Sequence, residues 1–188
     1  MAPFVIAGVI ALVIVVALLL IYNRFVRLRN KVQESRHDVG TELQRRYDLI
    51  PNLVATVRGY AEHEQAVFNA VTSLRVDAMA IRRAPDAQAE HEQALGQGVA
   101  QLMAVAERYP DLKASTQFTE LQRRLADTED RIQVARRIYN ANVRTFDSLV
   151  QTFPSLLIAK MFDFTAEPYF EMEPGAGTTP PVDLSGTT

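Results

Sequence analysis

FVIAGVIALVIVVALLLIY, residues 4–22, runs into NRFVRLRNK, residues 23–31, and this junction decides what kind of protein the chain is. The first run carries no charge, and Gly8 is its only residue outside the apolar set. As a helix rising ~1.5 Å per residue, Phe4 to Tyr22 comes close to spanning the ~30 Å hydrocarbon core of a bilayer. A soluble helix is rarely apolar on every side for that length. A cleaved secretory signal fits less well. Met1-Ala2-Pro3 has no basic side chain, the apolar run is too long, and Tyr22-Asn23-Arg24-Phe25 follows it. The expectation is a single-pass anchor over residues 1–23.

Charge orients the anchor. Arg24, Arg27, Arg29 and Lys31 flank its C-terminal end, and no Lys or Arg precedes it. The positive-inside rule then places the N-terminus outside and everything after the anchor in the cytoplasm. The same four residues should contact anionic headgroups of the cell membrane, at ~1 kcal/mol for each basic residue near the surface. The chain as a whole is near neutral, with a formal net charge of −2, which leaves no basic footprint for nucleic acid. It has no cysteine, so disulfides, thiolate nucleophiles and cysteine-ligated metals are excluded.

Beyond the anchor the apolar spacing is helical. Phe25, Leu28, Val32, Val39, Leu43, Tyr47 and Ile50 form one stripe, with Ser35 as its gap and no breaker between it and the anchor. The membrane helix should therefore continue into the domain. The stripe should end, or kink, near Pro51, because a residue before proline is pushed out of helical geometry. Tyr47, Asp48 and Asn52 would then cap helix ends at that first bend. A second stripe runs through Leu53, Val57, Tyr60, Glu64, Val67, Val71 and Leu74, and fades around Arg82-Arg83-Ala84-Pro85. A third, opened by Asp86, carries Leu95, Val99, Leu102, Ala106 and Tyr109. Gly96 and Gly98 should make it the least regular, at roughly 1 kcal/mol each relative to alanine.

Tyr109 to Lys113 reads as a turn, and Ser115 as the N-cap of the longest seam. Phe118, Leu121, Leu125, Thr128, Ile132, Ala135, Tyr139, Asn142, Phe146, Leu149 and Phe153 alternate steps of three and four without a slip. Asn142 is expected to satisfy a hydrogen bond within the bundle. Pro154 ends the seam, and Ser155 to Phe162 can form a short further helix. In the aromatic segment Phe162 to Phe170, packing back onto the bundle competes with lying against the bilayer. Packing is expected, because Asp163, Glu167, Glu171 and Glu173 would be repelled by anionic lipid. The fold class is all-α: one transmembrane helix continuing into an antiparallel bundle of about four long helices over residues 24–171. Residues 172–188, rich in Pro, Gly and Thr, should form a disordered tail.

Chemistry is sparse. His63-Glu64 and His91-Glu92 begin like a zincin helix, but Val67 and Leu95 stand where the second histidine is required. Ala61 to Ala66 recurs unchanged as Ala89 to Ala94. The two copies should fall at different heights of a helical pair, which reads as chance likeness between polar faces. Glu62 with Glu64 and Glu129 with Asp130 read as solvated, and so do the pairs Arg45-Arg46, Arg82-Arg83, Arg123-Arg124 and Arg136-Arg137. Asp127 is expected to pair with Arg123 or Arg131. No catalytic, cofactor-binding or metal-ligating residue is assigned.

Several blocks together resemble the LemA family of bacterial membrane proteins: Arg45 to Val54, then Val57, Gly59-Tyr60-Ala61 and His63-Glu64, then Tyr109 to Ala114. Ala135-Arg136-Arg137 with Tyr139-Asn140, Phe153-Pro154 and Pro168-Tyr169-Phe170 complete the likeness, which runs from about Tyr22 to Glu171. One departure is Ser35-Arg36-His37-Asp38, a stretch where the family often has tryptophan. The resemblance implies an N-terminal membrane helix, a cytoplasmic helical bundle, no enzymatic activity and no established ligand, and some relatives are associated with shaping internal membranes. The expected function is a non-enzymatic, membrane-anchored scaffold or adaptor that binds a protein partner. The alternative is a self-assembling protein that shapes or lines the membrane.

Overall fold

The computed structural model describes residues 2–81 and 85–170. Its first element, α1 (Ala2–Arg58), is one unbroken helix of 57 residues, roughly 85 Å long at ~1.5 Å per residue. The anchor and the first bundle helix are thus a single rod. The window with the highest hydropathy in α1 is wholly exposed, as a lipid-facing segment must be, whereas Phe25, Val32, Val39, Leu43, Tyr47 and Ile50 are buried. The chain reverses through residues 59–64 into α2 (Gln65–Ala80), and α3 (Pro85–Ala106) runs back along it. A one-turn α4 (Pro110–Lys113) leads into α5 (Thr116–Gln151), with α6 (Ser155–Met161) after it. All six described elements are helices. α1 pairs chiefly with α5 and α2 with α3, so α1 is the spine against which both halves rest.

Pro51 does not end α1, contrary to the local rule. A proline inside a helix removes the hydrogen bond to the carbonyl four residues earlier, at a cost of about 3 kcal/mol. That carbonyl belongs to Tyr47, and Arg75 of α2 donates its Nε–H to it at 2.7 Å. The orphaned acceptor is satisfied from another helix, and α1 runs on to Arg58. The expected capping by Tyr47, Asp48 and Asn52 therefore has no helix end to serve. Asp48 accepts from the Gln44 side chain at 2.8 Å instead. The break falls at Gly59, where the Val57 carbonyl accepts from the amides of Tyr60 and Ala61, so the stripe from Leu53 to Leu74 is split between two helices.

α3 also departs from expectation, being continuous through both glycines. At Gly98 a Cβ would stand 2.8 Å from Leu74 Cδ1, so the absent side chain lets α3 approach α2 closely. Where the second stripe fades, Arg82, Arg83 and Ala84 lie outside the described residues, as does the expected tail at residues 172–188.

The long seam of α5 is buried as predicted at Phe118, Leu121, Thr128, Ile132, Ala135, Tyr139 and Phe146. Ser115 Oγ accepts from the Phe118 amide, which makes it the N-cap. Asn142, half-buried, donates to the Lys31 carbonyl at 3.5 Å. The seam stops short of Phe153, which lies past the end of α5 and is 75% exposed.

After α6 the chain returns along α5 as an extended strap. Phe164 stacks on Phe25 at 4.6 Å between ring centroids, and Phe170 meets Tyr139 edge-on at 4.8 Å. Asn140 pins the strap at both ends of one residue, donating to the Phe170 carbonyl at 2.9 Å and accepting from its amide at 3.0 Å. The Tyr139 hydroxyl donates to the Pro168 carbonyl at 2.8 Å, and burial raises its pKa above the usual phenol value. Packing onto the bundle is thus the observed use of Phe164 and Phe170. Replacing Asn140 with alanine removes both bonds to Phe170 and should cost about 1–3 kcal/mol. Chemical denaturation followed by circular dichroism reads that loss, and hydrogen exchange at the Phe170 amide should rise with it.

Candidate functional site

Three charged side chains that sequence reasoning assigned to polar surfaces are buried. Arg46 of α1 is 5% exposed, Glu92 of α3 is 4% exposed and Arg136 of α5 is 9% exposed. Their positions follow from helical period. Arg46 adjoins Tyr47 on the buried stripe of α1, and Arg136 adjoins Ala135 on that of α5. Glu92 stands three residues before Leu95, on a line through Gln88, Glu92, Leu95 and Leu102 that is buried throughout. The first copy of the repeated hexapeptide lies mostly in the turn before α2 and the second on α3, so the copies are unlike in structure and share no site.

A buried guanidinium is tolerable only when neutralised, because the desolvation cost of an unpaired ion is several kcal/mol. Arg46 forms ion pairs with Glu92 and, at 3.0 Å, with Glu129 of α5. The Tyr47 hydroxyl donates to Glu92 Oε1. One arginine thereby ties α1 to both α3 and α5, and the expectation that Glu129 is simply solvated does not hold. Glu64 likewise has a partner, Arg108 at 2.7 Å, which closes the turn before α2 onto the end of α3.

Above Arg46, α3 and α5 flank a cleft of ≈ 810 Å³ and do not close on each other. Arg46, Glu92, Glu129 and Arg136 line it together with the amides of Gln93, Gln97, Gln122 and Gln133, and with Val99, Met103 and Leu125. Gly96 also faces it, and a Cβ built there meets nothing within 4 Å. Arg46 Nε is buried in this floor with no hydrogen-bond partner among the described residues. The cleft therefore offers a set of amides and apolar walls above a buried ionic floor. Tyr47, Arg46 and the two carboxylates are engaged with one another, and no group here is arranged as a nucleophile beside a base. Among the described residues no three His, Asp or Glu side chains are grouped to hold a metal ion.

The remaining hollows are less built. A larger one along α1, beside Arg36, His37 and Asp48, is lined by α1 alone, so no second wall grips a ligand. At the start of α5, hydrogen bonds from Arg123 and then Arg124 hold the Glu120 carboxyl down at about 2, and Arg123 also pairs with Asp127 at 2.8 Å, as predicted. This cluster is exposed and reads as a solvated face.

With this geometry in view, the chain's likeness to known proteins becomes informative. It is 26% identical over 191 residues to the magnetosome protein MamQ 2 of Paramagnetospirillum magneticum and, equally, to the magnetosome protein MamQ of Magnetospirillum gryphiswaldense. In each case the match covers 88% of this chain and 70% of the relative. It is 24% identical over 141 residues to Protein LemA of Metamycoplasma hominis, covering 75% of this chain and 64% of that protein. The sequence profile of the LemA family matches residues 35–184, which include the cleft, its ionic floor and the strap. A membrane-associated helical protein built on one long apolar N-terminal helix, the chain belongs to the LemA family.

Proposed function

We propose that the protein is a non-enzymatic, membrane-anchored scaffold or adaptor whose cleft between α3 and α5 receives a helical segment of a protein partner. The single observation that carries this reading is the open cleft over Arg46, walled by Val99, Met103 and Leu125 and rimmed by glutamine amides. An amphipathic helix lays its apolar face in such a groove, and its flanking polar groups can meet the amides of Gln93, Gln97, Gln122 and Gln133. Tethering raises the local concentration of the module near its partners, so modest contacts suffice. The basic flank of Arg24, Arg27, Arg29 and Lys31 supports a cytoplasmic bundle and an external N-terminus.

A second reading, self-assembly into a structure that shapes or lines the membrane, draws on a different surface. Val134 and Ile138 sit four apart on the outer face of α5 and are about half exposed. The likeness to magnetosome proteins also favours it.

One experiment separates the two. A photoreactive residue at Gln97, irradiated in intact membranes of the producing cell, should give adducts with another protein. Gly96→Phe should abolish them by filling the cleft while leaving the thermal melt in place, since a Cβ at this position meets nothing within 4 Å and the ring extends into open space. Adducts only with the chain itself replace the partner by a second copy and favour self-assembly, and adducts indifferent to Gly96→Phe remove the cleft from the account.

The ionic floor is expected to serve stability. Glu92→Ala deprives Arg46 and Tyr47 of a shared acceptor and should cost about 3–5 kcal/mol in chemical denaturation. Arg46→Met combined with Glu92→Leu should cost less than Glu92→Ala alone, because no charge is left buried without a partner. For orientation, protease added to right-side-out cells should leave the bundle intact and cut it only after the membrane is opened.

A further inference from the structure

α6 is apolar on two faces. Ser155, Ile158 and Ala159 pack inward, as the inner side of a surface helix should. The outer side of such a helix is ordinarily polar. Here it carries Leu157 at 57% and Met161 at 73% exposure, continued by Phe153 at the preceding corner and by Phe162 after the helix. Lys160 is the only charged residue of the element.

Its height along α1 is fixed by two contacts. The Tyr22 and Phe162 rings lie 4.8 Å apart, and Phe25 meets Phe146 at 6.0 Å. Because α1 and α5 run antiparallel, each step from Phe146 toward the end of α5 matches one from Phe25 toward the start of α1. Gln151 is therefore level with roughly Leu20, one to two residues inside the uncharged membrane run that ends at Tyr22. The α5–α6 corner and the outer face of α6 thus stand where the bilayer surface must be.

We infer that Phe153, Leu157, Met161 and Phe162 enter the interface of the bilayer beside the transmembrane helix, as a second point of membrane attachment. The occupant of this apolar face is lipid, because the face is continuous in height with a segment that is itself in lipid. Interfacial insertion needs only ~5–10 Å of depth, which side chains on an outward face supply. Lys160 together with Arg24 and Arg27 faces the headgroup layer with the right charge for anionic lipid. Of the acidic residues that anionic lipid would repel, Glu167 belongs to the strap, and Asp163 stands exposed between the foot and the strap. Asp163 takes a positive φ of 55° where the chain leaves α6, and the Glu167 amide is tied back to Asp147 at 3.2 Å. A lone helix can rotate and tilt in the membrane. A foot on one side of it fixes the rotation, and with it the direction in which the bundle presents its cleft.

The chain contains no tryptophan, so one introduced indole reports its own surroundings. Leu157→Trp and, separately, Met161→Trp are made in the full chain and reconstituted in vesicles of phosphatidylcholine and phosphatidylglycerol. Ile138→Trp serves as reference, an exposed apolar position of α5 well below the surface. The expected result is blue-shifted emission at Leu157→Trp and Met161→Trp. Most of it should be lost when the acyl chains are brominated near their headgroup end, with Ile138→Trp unaffected. If both foot positions match Ile138→Trp in bromolipid quenching, the inference is overturned, whether the indole is then found in water or shielded by a second copy of the chain.

Discussion

The structure rests on the continuity of α1 across two solvents. Its first third must sit in hydrocarbon, where a helix has to satisfy its own backbone, and the remainder must present one apolar stripe to a bundle in water. A rod that does both carries the membrane frame into the soluble domain without a hinge. The cost of that continuity is concentrated at Pro51, whose missing N–H would strand the Tyr47 carbonyl. Arg75 answers that carbonyl from α2, so the helical hairpin is more than a passenger on the spine. It supplies the donor that Pro51 lacks, and α1 runs on to Arg58.

The same pair of residues shows how closely the polar core is organised. The backbone of Tyr47 is held by Arg75, its hydroxyl by Glu92, and its neighbour Arg46 by Glu92 and Glu129. Three helices thereby converge on two consecutive positions of α1. A buried ion cluster of this kind is poor evidence of added stability, since well-packed apolar residues often do as well. Its geometric consequence is clearer. Charge pairing sets the register of α3 and α5 against α1 at one height, and apolar packing, which tolerates sliding, would set it less sharply. Close approach at Gly98 joins α3 to α2, while the bare backbone at Gly96 leaves the cleft open.

How far the sequence could be read depended on which forces were local. The anchor, its continuity with the first stripe, the α5 seam and the Ser115 cap all follow from spacing and composition. So does the short helix after Pro154; the structure has α1 continuous from the apolar run into the first stripe, Ser115 as cap and α6 after Pro154, with the seam ending before Phe153. Intrinsic preference misleads at Pro51 and Gly98, where a tertiary hydrogen bond and the close approach of a neighbouring helix prevail, while at Gly96 the helix continues although no neighbour stands near a Cβ. Glu92 and Arg46 were judged by charge, although the period of the buried stripe already passed through or beside them. Position on the stripe was the better guide than residue type. The strap shows a different limit. Tyr139-Asn140 and Pro168-Tyr169-Phe170 were each visible as blocks, but nothing in a linear sequence says that one block hydrogen-bonds the other.

Distance along the spine constrains what can use the cleft. Arg46 follows Tyr22 by 24 residues, which at ~1.5 Å per residue puts the cleft floor roughly 35 Å from the end of the membrane run. A partner confined to the bilayer cannot reach that far unless it, too, extends a helix well beyond the headgroups. On the proposed reading, the occupant is therefore a segment of a soluble protein or the projecting arm of another long-helixed one. The foot formed by α6 lies at the membrane end of the α1–α5 pair, and the cleft floor lies well past the middle of that pair, at Arg46 and Glu129. Because that pair is a continuous packed seam with no described break between Phe25 and Tyr47, attachment at one end fixes the pose of the other.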